Sequence, residues 1–382
     1  MSVARSARVA VLTTAVLLTA SAVAASAAAP TWQVVASPNA TSDDLNNLAG
    51  VAAITPNDVW SVGFFRRSVY RTLAEHWNGT GWSIVRTPNA GPGWNFLSGV
   101  SGSSSTDVWA VGRFVRGSVE RTLALHWSGA GWSVVPTPNV GSFDNQLAGV
   151  VALSSTDAWA IGWRRDAGGA FHTLAQHWNG ASWSVVTTPD LGGQGRLTAV
   201  AAVSSSDIWA FGAAGNEDVP IAEHWNGASW QLVSTPGGIG EASFQGGTAI
   251  ATNDVWAIGT RNSGTASLAE HWNGNAWSVV ATPNPSGSTN TTFEAAAALS
   301  STHVWAVGVS SSAPAGSIPQ TLTERWNGTS WSIVPSPTPS TAGGELNGVA
   351  ALAPSTLWAV GETHPPDFSG HDHTLVLETT GG

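Results

Sequence analysis

Arginine and aromatic residues are concentrated in three short segments, which read FFRRSVYRT, RFVRGSVERT and WRRDAGGAFHT. Guanidinium groups bind carboxylate or phosphate through two parallel hydrogen bonds, and aromatic rings stack on sugar rings or cations. The combination therefore indicates an anionic or sugar-bearing ligand. The alternative is that the arginine stems cover loop hydrophobics and offset the acidic remainder of the chain. The predicted ligand-binding residues are Arg66, Arg67, Arg113, Arg116, Arg164, Arg165, Phe64, Trp94 and Trp163.

Histidine and aspartate recur about every 50 residues, each in a fixed local context. Side chains spaced in this way belong to separate copies of a repeat and cannot converge on one ion. We therefore predict that the histidines bond to backbone or to a neighbouring repeat, and that the aspartates accept local backbone N–H bonds. The residues are His76, His126, His177, His224 and His271, with Asp58, Asp107, Asp157, Asp207 and Asp254.

One local cluster could hold a metal. The segment THPPDFSGHDHT contains His364, Asp367, His371 and His373, and alternate residues of a loop can reach one ion. Their spacing matches no established ligand pattern, so the cluster is a weak candidate and we predict neither a metal nor a cofactor. The sequence also lacks GxSxG, HExxH, Walker and dinucleotide motifs in a suitable context.

Three tryptophans mark each copy of the repeat. One lies in a string such as AWAIG, one in HWNG and one in WSVV, and the segment from Leu147 to Asp190 shows all three. We read four short strands per copy, A (LAGVVAL), B (AWAIG), C (TLAQHW) and D (WSVV). A period of about 50 residues is typical of radial repeats. The strand-B tryptophans are Trp60, Trp109, Trp159, Trp209, Trp256, Trp305 and Trp358.

Local patterns give further expectations for each repeat. Asn-Gly between strands C and D predicts a hairpin turn, because both residues tolerate positive φ. Strands A and B are nearly continuous apolar runs, which predicts that both faces of each sheet are covered by neighbouring blades.

The two ends of the sequence predict how the ring closes. The last repeat stops at Gly382 without a strand D, and Trp32-Gln33-Val34-Val35 near the N-terminus matches the missing strand. The sequence therefore predicts an all-β, seven-bladed propeller over residues 30–382, in which the N-terminal strand completes the last blade.

Antiparallel strands place the connections of each blade on two opposite rims. The A–B and C–D turns are short and alike, and they form what we call the uniform rim. The B–C and D–A loops vary in length and chemistry, and this variable rim is where we expect binding.

Composition bears on the compartment and the partners. Residues 1–29 carry Arg5 and Arg8, then an apolar core and Ala-rich cleavage options, which predicts a secretory signal peptide and no membrane span after its removal. Removing two of the 14 basic residues and none of the 24 acidic ones leaves a net charge of −12, which argues against nucleic acid. The chain has no cysteine, and its Ala-, Gly- and Val-rich usage suggests a bacterial source.

The repeat resembles kelch-type propellers and is similar to the central domain of galactose oxidase. VWAVG stands where kelch blades have a hydrophobic-Gly-Gly string, and WSVVPTPN stands where they have a tryptophan with a proline-containing exit. The tryptophan-rich repeat also looks like tectonin and related propeller lectins. The resemblance implies a binding propeller; galactose oxidase chemistry is not implied, because its copper site needs a cysteine-linked tyrosine and this chain has no cysteine.

The sequence therefore predicts a secreted, non-enzymatic, monomeric propeller that binds a glycan, an anionic surface polymer or a protein through its variable rim. The alternative is a glycoside hydrolase or polysaccharide lyase on the same scaffold. Such an enzyme needs carboxylates that converge at the channel mouth. The candidates are Asp144, Glu217, Asp218, Glu294 and Glu345.

Overall fold

The chain is a seven-bladed β-propeller. The computed structural model describes residues 30–42, 44–215, 219–237, 241–312, 318–365 and 371–380, and within these ranges it contains strands and no helix. Twenty-eight described strands form seven four-stranded antiparallel sheets, and six of these run in sequence order from the innermost strand A to the outermost strand D. In the seventh sheet the first strand of the chain takes the outermost position. The described residues therefore contain no helix long and apolar enough to cross a bilayer.

The closing strand is β1 (Thr31–Val34). Blades 1 to 3 contain β2 (Asn46–Thr55), β3 (Asp58–Arg67), β4 (Val69–Trp77) and β5 (Trp82–Ile84); β6 (Asn95–Ser104), β7 (Asp107–Arg116), β8 (Val119–Trp127) and β9 (Trp132–Val135); and β10 (Asn145–Ser154), β11 (Asp157–Arg165), β12 (Phe171–Trp178) and β13 (Trp183–Val186).

Blades 4 and 5 contain β14 (Arg196–Ser204), β15 (Asp207–Ala214), β16 (Val219–Trp225) and β17 (Trp230–Val233); and β18 (Ala242–Ala251), β19 (Asp254–Arg261), β20 (Ala266–Trp272) and β21 (Trp277–Val279). Blades 6 and 7 contain β22 (Ser288–Ser300), β23 (His303–Ser312), β24 (Gln320–Trp326) and β25 (Trp331–Ile333); and β26 (Gly344–Leu352), β27 (Thr356–Thr363) and β28 (His373–Thr380).

The N-terminal strand completes blade 7, as the sequence predicts. β1 pairs antiparallel with β28, with Trp32 opposite Thr379. The N–H of Thr374 donates to Asn39 Oδ1 at 2.8 Å, and the hydroxyls of Thr374 and Ser37 are 2.7 Å apart. Blade 1 makes the same contacts within one continuous segment, where Thr72 bonds to Asn89 and Thr87. The closing strand therefore reproduces the ordinary strand C to strand D contact.

Tryptophans hold adjacent blades together. The buried Trp60 ring of blade 1 lies 4.8 Å from the Trp127 ring and 5.2 Å, edge to face, from the Trp132 ring of blade 2. Each aromatic pair of this kind contributes about 1 kcal/mol beyond the apolar area it buries. Equivalent pairs recur at the following junctions, for example between Trp109 and Trp178 at 4.9 Å.

The glycine that ends each WAVG-like string is fixed by a close backbone approach. A Cβ added to Gly162 would stand 2.0 Å from the carbonyl oxygen of Gln146 in the adjacent strand A, and Gly63 and Gly361 meet the same obstacle. The neighbouring strand shifts register at this point, between Leu147 and Gly149 in blade 3. No other residue type fits there without moving the inner strand.

The inner strands are not fully buried along their whole length. Only the first part of strand A is buried; Val51 and Ala52 are half-buried. This half faces a central channel with a cavity of about 180 Å³, lined mainly by glycine, alanine and valine. The expectation that both faces of strand A pack against neighbouring blades is nevertheless confirmed for this half. Val51 and Ala53 pack on the core shared with blade 7, and Ala52 and Ile54 pack on the core shared with blade 2, while the edge of the strand lines the channel.

The Asn-Gly hairpin is present, but its geometry differs from the expectation. Trp77 pairs with Trp82, so the loop has four residues, and Gly79 has φ of 92° while Asn78 has no positive φ. Asn78 Oδ1 instead accepts the N–H groups of Thr80 and Gly81 at 3.0 and 3.1 Å. The asparagine is required as a side-chain acceptor, and only the glycine needs the left-handed region.

The repeated histidines bond to the repeated aspartates of the same blade. His177 Nε2 lies 2.9 Å from Asp157 Oδ1, and its ring packs 4.6 Å from the Trp159 ring. The structural role is as predicted, but the partners are not backbone groups or a neighbouring blade. The other pairs are His76 with Asp58, His126 with Asp107, His224 with Asp207 and His271 with Asp254.

Candidate functional site

An aromatic cluster lies on the variable rim at the junction of blades 1 and 2. The Phe64 and Phe96 rings are 5.0 Å apart and nearly perpendicular, and the Tyr70 ring lies 4.9 Å from Phe96 and 5.4 Å from Trp94. The Arg113 guanidinium carbon lies 4.4 Å from the Phe96 ring centre. Trp94 is 52% exposed, whereas Phe96 is buried. We call these five residues the Trp94 cluster.

The elements of the two blades explain why these side chains meet. Phe64 directly follows Gly63 near the end of β3, and strand alternation turns it towards blade 2 while Phe65 turns towards blade 7. Trp94 and Phe96 come from the loop and strand that open blade 2. Four strand ends and one D–A loop therefore place a mostly apolar surface beside a guanidinium group, which suits the flat face of a sugar or an aromatic side chain.

Half of the predicted arginines are held by carboxylates. Burial by itself would raise the pKa of Asp44, but hydrogen bonds from the Leu45 N–H and from Arg66 outweigh it and lower that pKa. The acidic partners come mainly from the D–A loop that precedes each blade. The ion pairs are Arg66 with Asp44 at 2.6 Å, Arg113 with Glu120 at 2.9 Å and Arg165 with Asp144 at 3.4 Å.

The other predicted arginines have no carboxylate partner among the described residues. Arg67 and Arg116 are exposed, and Arg164 is half-buried. The interpretation that the arginines offset the acidic charge of the chain therefore fits the three ion-paired arginines. The other three are available to bind an anionic ligand. Their role in binding stays a prediction.

Trp163 belongs to a second, separate cluster. Its ring lies 5.1 Å from Phe171, and the guanidinium carbon of Arg196 lies 3.7 Å from the Phe171 ring centre and 5.6 Å from that of Trp163. Arg196 comes from blade 4. The predicted aromatic residues Phe64, Trp94 and Trp163 thus belong to two clusters, because side-chain alternation along β11 directs Trp163 towards blade 4.

Two of the predicted channel-mouth carboxylates, Glu294 and Glu345, interact electrostatically, and a third acid outside the prediction, Glu362, lies beside Glu345. Glu345 in β26 pairs with Glu362 in β27, and the charge of Glu345 acts on Glu294. Burial raises the pKa of Glu362 to about 8, and the charge of Glu345 and a hydrogen bond between the two carboxyls act in the same direction. Burial and the charge of Glu345 raise the pKa of Glu294 to about 7.

Of the other carboxylate candidates, Asp144 does not join this group. Asp144 pairs with Arg165 and accepts the N–H of Glu120 at 3.0 Å. Glu217 and Asp218 lie outside the described residues. Glu362 could have been found from the strand-B string of blade 7, where VGETH carries an acid at the position that holds Phe64 in blade 1.

The histidine-rich loop shows no metal cluster among its described residues. His364 Nδ1 lies 2.9 Å from Asp372 Oδ1, and this hydrogen bond raises the pKa of His364. Asp367 falls outside the described residues. Across the described ranges, no three His, Asp or Glu side chains are arranged to hold a metal ion, which includes His371 and His373.

Sequence reasoning also missed a set of buried glutamates in strand C. They occupy one repeat position, two residues before the tryptophan of strand C, where blade 3 has Gln176 and blade 2 has Leu125. Burial raises their pKa, to about 7 for Glu270 and to about 8 for the others. They are Glu75, Glu223, Glu270 and Glu324, all fully buried.

Comparison with known proteins supports the fold and leaves the family open. No protein-family model and no curated protein matches the sequence. Among solved structures, the chain is similar to YCF48 from Cyanidioschyzon merolae (16% identity, TM-score 0.56, covering 91% of this chain and 98% of that one) and to YCF48 bound to D1 peptide (15% identity, TM-score 0.54, covering 91% and 94%). It also matches the SapL1 lectin in complex with alpha methyl fucoside (15% identity, TM-score 0.47, covering 78% and 98%). The propeller expected from the sequence is confirmed, whereas the kelch assignment stays a prediction.

Proposed function

We propose that the protein is a secreted binding module that recognises a glycan, a surface polymer or a protein through the variable rim. The Trp94 cluster carries this proposal, because it presents a large, exposed indole on a rigid aromatic base beside Arg113. Exposed aromatics set in packed surroundings are typical anchors of binding surfaces. YCF48, with a similar fold, has been seen with a bound peptide.

Retention on immobilised ligands tests the proposal. Purified protein is passed over a panel of polysaccharides, bacterial cell-wall preparations and peptides, and Trp94→Ala is compared with the parent. We expect Trp94→Ala to weaken retention on the responding ligand by at least about tenfold, the range of an anchor residue. Phe143→Ala is the matched control, because Phe143 is also exposed but lies in the next D–A loop, outside the cluster. Equal retention of Trp94→Ala and the parent would contradict the proposal.

Export is proposed from the leader-like composition of residues 1–29. When the gene is expressed in a secreting host, the protein recovered from the medium should begin close to Pro30. An intact N-terminus on cell-associated protein would contradict this part of the proposal.

Glycan hydrolysis is a second candidate, favoured by the hydrogen-bonded pair of carboxyl groups of Glu345 and Glu362. A carboxyl whose pKa is raised to about 8 keeps its proton at neutral pH, as a general acid requires. Incubation with the same polysaccharides should then release reducing ends, and Glu362→Gln should abolish the release while leaving retention unchanged. Retention without product by the parent protein would reject this candidate.

A further inference from the structure

A cavity forms a groove on the flank of blade 1, at the seam with blade 7. It measures about 630 Å³, a volume that can hold a ligand of several hundred daltons. Its floor is apolar and is formed by Phe65, Leu73, Ile84 and Val85, and Ala40 contributes from the segment after the closing strand. We call this cavity the blade 1 groove.

Three arginines line the groove. Arg67 and Arg86 are exposed and form no ion pair among the described residues, and Arg71 donates only long hydrogen bonds of 3.5 Å to the carbonyls of Gly91 and Gly93. No aspartate or glutamate lines the cavity. Asp44 lines an adjoining cavity of about 590 Å³, which Arg67 also lines, and it forms an ion pair with Arg66. The groove is therefore a positively charged pocket on a protein with a net charge of −10.

The strand pattern places these side chains together. Phe65 pairs with Arg71 and Gly63 with Leu73, so Phe65, Arg71 and Leu73 share the face of blade 1 that looks towards blade 7. The Trp94 cluster uses the opposite face of β3 through Phe64. The two sites are thus separate.

Arg86 is specific to blade 1. It follows WSIV, and the other blades have smaller, uncharged residues at this position, namely Ala36, Pro136, Thr187, Ser234, Ala281 and Pro335. The fold accepts alanine, proline, serine or threonine here, so it does not require arginine. Because Arg86 is also exposed, its guanidinium group is accessible to a ligand in the groove.

We propose that the blade 1 groove binds a carboxylate-bearing polysaccharide, with Arg67, Arg71 and Arg86 holding carboxylates of successive uronic acid units. Arginine binds planar carboxylates through two parallel hydrogen bonds, which gives direction as well as charge attraction. The apolar floor fits the C–H faces of sugar rings, which a small inorganic anion would leave uncovered. The proposal rests on the binding function proposed above, but it uses different residues.

Titration with an oligogalacturonate of defined length tests the proposal, with its fully methyl-esterified form as the uncharged control. We expect binding to the acid form that weakens with salt, and little binding to the ester. Arg86→Ala and Arg67→Ala should each raise the Kd by about tenfold, the usual value of one charge-assisted hydrogen bond. Arg261→Ala is the matched control, because it removes the same charge from the end of β19 in blade 5, outside the groove and outside the predicted binding residues, and should change the Kd less than twofold.

Several results would overturn the inference. They are the absence of binding, equal binding of acid and ester, an equal effect of Arg261→Ala and Arg86→Ala, or tighter binding of an oligoglutamate peptide than of the oligosaccharide. The last result would indicate a peptide site. None of these results would contradict the proposed function as long as Trp94-dependent retention persists. Conversely, loss of Trp94-dependent retention alone would not contradict the proposal for the blade 1 groove.

Discussion

At the scale of single residues, the buried glutamates of strand C are the most unusual feature. Glu75 lies fully buried, and neither of its carboxyl oxygens has a hydrogen-bond partner among the described residues. Burial raises its pKa to about 8, so the folded protein keeps it protonated at neutral pH, whereas the unfolded chain ionises it near 4.5. The folded state then holds more protons between these values, and its stability must fall as the pH rises from about 4.5 to 8.

Glu75→Gln should remove this pH dependence. Each pKa unit corresponds to about 1.4 kcal/mol, so the parent should lose on the order of 4 kcal/mol more than the variant between pH 4.5 and 8.5. Glutamine is accommodated, because Gln176 holds the same position in blade 3 and donates to Pro138 O at 2.9 Å. Urea unfolding at several pH values measures the difference. Gln176→Glu is the reverse control and should make stability more sensitive to pH; parallel curves for all three proteins would refute the argument.

At the scale of the element, the histidine–aspartate pair joins strand B to strand C within each of five blades. In blade 3 it links Asp157, at the start of β11, to His177 near the end of β12. Both side chains are partly exposed, so the net contribution of the bond is modest. Its repetition at successive blades makes it part of the scaffold rather than a site.

A double-mutant cycle on His177→Ala and Asp157→Ala should give a coupling energy of about 1 kcal/mol. Thermal or urea unfolding of the four proteins provides the measurement. The same cycle on His172 and Asp166, a pair of equal composition at a loop of the same blade, is the control and should give a smaller coupling. A larger coupling in the loop pair would show that the scaffold role is misassigned.

At the scale of the whole molecule, ring closure makes the N-terminal strand equivalent to the other outer strands. Trp32 is 7% exposed and packs edge to face against Trp305 at 5.5 Å, much as Trp82 packs against Trp358 at 5.3 Å. The two residues are 50 positions apart in sequence yet occupy the same structural position. Their contributions to stability should therefore match.

Trp32→Ala and Trp82→Ala should each lower the free energy of unfolding by about 3–5 kcal/mol, the usual cost of truncating a buried tryptophan. Guanidinium unfolding followed by far-ultraviolet circular dichroism gives both values. If Trp32→Ala were nearly neutral while Trp82→Ala were costly, the N-terminal strand would not close the ring in solution.

The sequence predicted the fold more fully than the site. The tryptophan period and the displaced WQVV strand fixed blade number and closure, because each reflects a packing requirement repeated in every blade. The partners of Arg66 and Arg165 were not predictable, since Asp44 and Asp144 come from loops whose course the repeat does not determine. Arg86 could have been recognised as the one charged residue at its repeat position. The strand-C glutamates were hidden because Glu75, next to His76, reads as an ordinary solvated pair until the neighbouring blade covers it.

The pairing of Thr31 with Thr380 determines the rim from which the two ends of the folded disc emerge. Strand D begins and strand C ends at the uniform rim, so both ends of the folded disc leave from the same side, next to each other. A label, a fusion partner or a tether attached at either end would therefore point away from the Trp94 cluster and the blade 1 groove. Immobilised through its termini, the protein would offer both surfaces to the surrounding medium without obstruction.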